Sequence, residues 1–222
     1  MPVNTDFFAN VSDELNKKQV ALVAVSKTKP TEDILTLYNL GQRDFGENYV
    51  QELCSKHALL PADIRWHFIG HLQSNKAKQI APFIYLIHGI DSLKLLYEIN
   101  KQAARHNRII QCLLQVHIAS EETKFGFDEG ELEQAVSEIM LNKALKNICV
   151  KGLMGMGSFT NDTKITTEEF DYLKGLFDKY AEQKSEHFEM TILSMGMSSD
   201  YKIAIEKGSN MVRIGSMLFG NR

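Results

Sequence analysis

The sequence predicts a (β/α)8 TIM barrel, and three observations carry that prediction. Eight apolar runs alternate with segments of helical period, the pattern that right-handed crossovers close into a ring of parallel strands. The first run ends in Lys27, without the glycine fingerprint that opens a doubly wound nucleotide-binding sheet. The 222 residues suit one barrel or two small domains, and no shift of composition divides them, so residues 1–222 read as a single barrel domain.

A lead-in helix over 5–18 repeats Phe8, Val11 and Leu15 at helical spacing, with Asp6 near its start and Lys17 and Lys18 near its end. The first strand, 20–25, has no polar alternation and reads as buried on both faces. Pro30 and Thr31 open a helix over 31–40 whose apolar face is Ile34, Leu35, Leu37 and Leu40, and Gly41 stops it. The segment 44–49 is a very short second strand and its end, with Asn48 as candidate cap of the helix 50–59. The third strand, 65–70, runs into the polar loop 71–76 and a short helix. The fourth is 84–88, after which Asp91 and Ser92 cap a helix over 93–107 that keeps Leu96, Ile99 and Ala103 in period.

The fifth strand, 111–117, is followed by the loop 120–126 and a helix over 129–143. The sixth, 148–154, ends in the glycine-rich stretch 152–158. A helix over 167–182 turns Phe170, Leu173, Leu176, Phe177 and Tyr180 inward. The seventh strand, 190–193, a short helix over 200–207 and the eighth strand, 211–215, complete the ring. Met-Gly-Met recurs at 154–156 and 195–197, both at strand ends.

The formal net charge of −3 lacks the basic surplus that phosphate neutralisation needs, which argues against nucleic acid as an obligate partner. Cys54, Cys112 and Cys149 form no CxxC pair and read as reduced thiols. The amino terminus has no basic region leading into an apolar core, and no window approaches the length of a membrane span. The expectation is a cytoplasmic protein with no membrane partner, acting as a monomer on small molecules or proteins.

The polar residues that end each run converge at the carboxyl end of such a barrel: Lys27, Asn48, His71, Lys124, Met154, residues 194–199, Arg213, Gly215 and Ser216. An amine at the end of a buried strand, partly desolvated and with Lys29 as a like charge nearby, is expected to favour its neutral, nucleophilic form and to attack an aldehyde. Taken alone, the same lysine reads as a strand-end charge in solvent. The loops after strands seven and eight, 195–199 and 213–216, combine glycines, serines and short helices, the materials of a phosphate cradle. A lysine on strand one facing that cradle suits pyridoxal 5′-phosphate, whose aldehyde and phosphate occupy neighbouring positions on one ring.

Plainer readings stand beside these. Arg213 reads also as a rim ion pair, and Ser198 as the cap of the following helix. His67 and His71 lie on a strand and a loop, where their spacing does not make them converge on a metal. Met154, Met156, Met195 and Met197 read as packing at the barrel mouth or as cofactor contacts. Lys124 is a surface charge unless its loop folds over the site.

The stretches VSKTKP at 25–30, FGENYVQE at 45–52, WHFIGHLQSNK at 66–76, TKFGF at 123–127, GLMGM at 152–156, LSMGMSSD at 193–200, VRIG at 212–215 and FG at 219–220 occur in order. Together they resemble the pyridoxal-phosphate homeostasis proteins, relatives of the barrel domain of alanine racemase. Gly89 stands where the resemblance leads one to expect serine. The resemblance implies a Schiff base between the cofactor and Lys27, with Asn48 beside the ring and Met154 among the contacts. It also implies phosphate contacts from Ser198, Ser199, Gly215 and Ser216, with Arg213 near the pyridine nitrogen. Arginine donates to an unprotonated nitrogen but accepts nothing from a pyridinium, so the ring becomes a weak electron sink.

The expected function is therefore that of a non-catalytic carrier in vitamin B6 balance, serving pyridoxal-phosphate-dependent apoenzymes. Racemisation needs acid/base groups on both faces of the substrate, which a further domain supplies in the two-domain relatives. A racemase recruiting Tyr49 is the alternative, and an aldolase using Lys27 without cofactor is a third reading.

Overall fold

The computed structural model describes residues 3–121 and 125–220, so Lys124 lies outside the described residues. Eight parallel strands close into a barrel in sequence order: β1 Ala21–Val25, β2 Asp44–Glu47, β3 Arg65–Phe68, β4 Leu86–Ile90, β5 Ile110–Val116, β6 Ile148–Gly155, β7 Phe188–Ser194 and β8 Met211–Ile214. The ring shuts where β1 pairs with β8, Val23 standing opposite Arg213. The helices are α1 Thr5–Lys17, α2 Thr31–Asn39, α3 Val50–Leu59, α4 Ala77–Ile80, α5 Leu93–Arg105, α6 Glu129–Leu141, α7 Thr163–Tyr180, α8 Tyr201–Glu206 and α9 Ser216–Phe219, with a 3₁₀ turn at Ser74–Lys76.

Strand alternation sorts the core into two layers. Outward-facing Phe45, Trp66, Phe68, Leu114 and Phe188 pack beneath the helices, whose own stripes (Phe8, Val11 and Leu15 on α1, Phe170, Leu173 and Leu176 on α7) are buried against them. Inward-facing Val23, Leu86, Leu113, Met154 and Met211 fill the barrel itself. This interior is a packed core, which leaves the carboxyl-end mouth as the place for chemistry.

Several boundaries differ from the sequence expectation, each for a local reason. β4 lies two residues later than 84–88, because Ile84 is buried before the strand begins and Ile90, beyond the glycine, still pairs with Leu114. Leu40 ends α2 exposed instead of completing its apolar face. α7 starts at Thr163, where the Asp162 carboxylate accepts from the Lys164 amide and caps the turn. Asn48 does not cap α3: Tyr49 holds the cap position, with no side-chain bond. Among the described residues no helix is long and apolar enough to cross a membrane.

Candidate functional site

The end of β1 is clamped from both sides of Lys27. Ser26 is fully buried and its hydroxyl donates to Glu47 Oε1 at 2.6 Å. The Lys56 ammonium reaches the Ser26 carbonyl, Glu47 Oε1 and Glu52 Oε1, each at 2.7 Å. Thr28 adopts a left-handed φ of 63°, a conformation a β-branched residue resists, and its amide donates to Glu52 Oε1 at 2.6 Å. Burial pushes the Glu47 carboxyl up, against the opposing pull of Lys56. Half-buried Lys27 thus projects from a backbone fixed at the residues before and after it. Lys29 turns to the end of α9, where its ammonium donates to the carbonyls of Phe219 at 2.9 Å and Gly220 at 3.1 Å.

Beyond β2, Asn48 faces the same space with its side-chain Oδ1 buried and without a hydrogen-bond partner. The Asn48 backbone seats there because residue 70 is glycine: a Cβ on Gly70 would lie 2.5 Å from the Asn48 carbonyl oxygen and 2.9 Å from its Cα.

After β7, Gly196 takes φ 95°, and a Cβ there would lie 2.5 Å from the Cβ of Ala204, so the turn brings the start of α8 close. Asp200 Oδ1 accepts from the Met197 amide at 2.6 Å, and burial pushes its carboxyl up. Ser198 does not cap α8; its hydroxyl accepts from the Gly215 amide at 3.3 Å and ties the two last loops together. Arg213 is buried, donating to the Ser194 carbonyl at 2.9 Å, the Ser194 hydroxyl at 2.6 Å and the Gly155 carbonyl at 3.0 Å. Burial lowers its guanidinium to about 10, and Asp200 opposes that shift through space.

These parts surround a cavity of about 450 Å³ at the carboxyl end of the barrel. Of the residues singled out in the sequence, Lys27, Asn48, Ser198, Ser199, Arg213, Gly215 and Ser216 line it. Met154 does not: it is fully buried in the barrel interior, beneath Met156, which does reach the cavity. The strand's two-residue alternation gives both methionines the same inward direction, so only depth separates them. His71 also lies elsewhere, its Nδ1 2.9 Å from Asp91 Oδ2 and its ring stacked on Phe125. Val25, Ile69, Met197 and Phe159 complete the apolar part of the wall. Val25 and Ile69 continue the inward-facing positions Val23 and His67, a signal available in the sequence, whereas Met197 and Phe159 reach the wall by loop paths that periodicity does not encode.

Residues 7–222 match the family described as "Alanine racemase, N-terminal domain". The chain is 38% identical over 216 residues to a pyridoxal phosphate homeostasis protein of Schizosaccharomyces pombe, an alignment covering 96% of this chain and 89% of the relative. It belongs to the pyridoxal phosphate homeostasis protein family. The solved structure of PipY, the COG0325 family member of Synechococcus elongatus PCC7942, without PLP superposes at a TM-score of 0.89 with 33% identity, covering 96% of this chain and 98% of that one. The same protein solved with PLP bound superposes at 0.82 with 34% identity, covering 91% and 93%.

Proposed function

We propose that the cavity holds pyridoxal 5′-phosphate, anchored covalently on Lys27, and that the protein serves intracellular vitamin B6 balance as a non-catalytic carrier for apoenzymes. The observation that carries this reading is that Lys27 shares one cavity with a buried guanidinium and two serine- and glycine-bearing loops. The orphaned, buried Oδ1 of Asn48 fits a ligand that brings its own donor, because a buried acceptor left unmade costs about 1–3 kcal/mol. When bound, the cofactor supplies an aldehyde that condenses with an amine and releases water.

On this reading the hydroxyls of Ser198 and Ser199 and the amides of Gly215 and Ser216 hold the phosphate. Arg213 donates to the pyridine nitrogen and, having no lone pair to offer, keeps that nitrogen unprotonated. The clamp at Ser26 and Thr28 orients the Lys27 amine. Among the described residues the cavity wall includes no tyrosine, histidine, cysteine or carboxylate, and its second lysine, Lys29, is turned to the carbonyls of Phe219 and Gly220 at the end of α9. Tyr49 is half exposed and is not part of that wall.

The test is the visible spectrum of the purified protein and of Lys27→Ala, each supplied with pyridoxal phosphate and then reduced with borohydride. The expected result is a band in the native protein that reduction bleaches while the cofactor's mass stays on Lys27, and neither effect in the variant. Absence of binding by the native protein overturns the reading. Exchange of a substrate α-proton at an enzymatic rate overturns its non-catalytic part.

A further inference from the structure

Five polar side chains from β2, β3, β4, β7 and β8 join end to end through the barrel interior. Asp44 Oδ1 lies 3.0 Å from His67 Nε2, His67 Nδ1 lies 2.9 Å from His88 Nε2, and His88 Nδ1 lies 3.2 Å from Ser194 Oγ. The Ser194 hydroxyl in turn accepts from Arg213 Nη1 at 2.6 Å. Arg213 lines the cavity, while Asp44 lies at the opposite, amino end of the barrel, bridged to Arg65 at 2.5 Å. His67, His88 and Ser194 are fully buried.

The two ends of this chain fix every proton between them. An ionised Asp44 only accepts, so His67 carries its proton on Nε2 and a neutral His67 accepts on Nδ1. His88 therefore carries its proton on Nε2 and donates to His67 Nδ1. A neutral His88 then accepts on Nδ1 from the Ser194 hydroxyl, whose oxygen accepts from Arg213. A second proton on His67 would set its Nδ1 against the Nε2 proton of His88 inside the barrel. Burial, reinforced by His67 and Arg213, pushes His88 well below the usual imidazole range. Burial pushes Asp44 up, yet the hydrogen bonds from Arg65 and His67 outweigh it and hold the carboxyl at about 2. Every dipole in the chain therefore turns its negative end toward Arg213, a buried cation with no carboxylate in contact among the described residues.

We propose that Asp44 is a second, remote counter-ion of Arg213 beside Asp200, and that His67, His88 and Ser194 are positioning residues that transmit its field to the guanidinium facing the pyridine-nitrogen side of the cavity. The cofactor part of this statement rests on the function proposed above; the hydrogen-bonded chain does not.

Two measurements on the full chain test it. With ¹⁵N-labelled histidine and no cofactor, NMR at neutral pH is expected to find His67 and His88 both neutral and both protonated on Nε2; an Nδ1-protonated or doubly protonated ring overturns the chain. With pyridoxal phosphate labelled at its ring nitrogen, Asp44→Asn and Ser194→Ala are expected to move the nitrogen resonance in the same direction and to weaken binding about three- to tenfold. Arg65→Met removes the neighbouring ion pair but keeps the Asp44 carboxylate, and is expected to change neither. A resonance that stays fixed in both Asp44→Asn and Ser194→Ala, even in variants that melt at lower temperature, assigns the chain a merely structural role and overturns the proposal. If the native protein binds no cofactor, the function proposed above falls, and the histidine protonation measured without cofactor decides the chain by itself.

Discussion

Asn48 is held where it destabilises the unliganded fold. Its buried Oδ1 has no partner, and the backbone that carries it is pressed against residue 70, where only glycine leaves room. Gly70→Ala is expected to displace Asn48 and weaken pyridoxal phosphate binding about tenfold or more, while the unfolding midpoint falls modestly; fluorescence or absorbance titration checks the first and urea denaturation the second. Single residues were legible to different degrees. Lys27, the serines and Arg213 declare themselves by chemistry at the end of an apolar run, so their shared cavity was readable from the chain. Met154 was misplaced because residues 154 and 156 share one strand face, and periodicity gives direction but not depth. The partnership of His67 with His88 was not legible at all. Each is an inward strand residue whose partner is set by strand order and register, and no local motif records those.

At the scale of elements, the seam between β7 and β8 has a construction unlike the rest of the barrel. Strand register joins the two at Ser194 and Met211, flanked by backbone bonds from the Asn210 amide to the Leu193 carbonyl and from the Arg213 amide to the Gly196 carbonyl, and side chains add to these. The Asn210 amide group donates to the Thr191 carbonyl at 2.8 Å and accepts from the Leu193 amide at 2.8 Å. The buried Ser209 hydroxyl lies within 3.1 Å of the carbonyls of Leu193, Met195 and Met211. The seam carries both the Arg213 strand and the serine loop, so its stiffness sets theirs. Ser209→Ala is expected to cost about 1–2 kcal/mol in stability and to speed amide exchange at residues 193–197 and 211–214 ahead of the other strands; hydrogen exchange with mass spectrometry reads both regions. The sequence showed strand seven as a short run, 190–193, because polar Glu189 and Ser194 bound it on either side and hide the longer pairing of Phe188–Ser194 with β6.

At the scale of the molecule, the closed ring was legible because it needs only the count of apolar runs, the helical period between them and the hand of the crossovers. Its interior polarity was not, since a barrel core is expected to be apolar and this one carries two histidines, a serine and an arginine. That polarity has a cost in acid. Asp44 falls from an ordinary 3.8 to about 2 on folding, so its contribution, roughly 2 kcal/mol, is complete above about pH 4 and is lost as pH falls toward 2. Urea denaturation of the native protein and Asp44→Asn is expected to show a gap that is constant near neutrality and closes between about pH 4 and pH 2; a gap that widens on acidification contradicts the assignment.

The pairing of β1 with β8 also orders events during synthesis. Lys27 leaves the ribosome early, whereas Arg213, Gly215 and Ser216 emerge only after six further strands. A nascent chain short of β8 has Lys27 without the enclosure around it, so its amine waits in the open until the last strand of the ring docks. Retention of the cofactor thus reports that the whole barrel has been translated and shut, and any damage that reopens this single closure releases the pocket's two halves from each other.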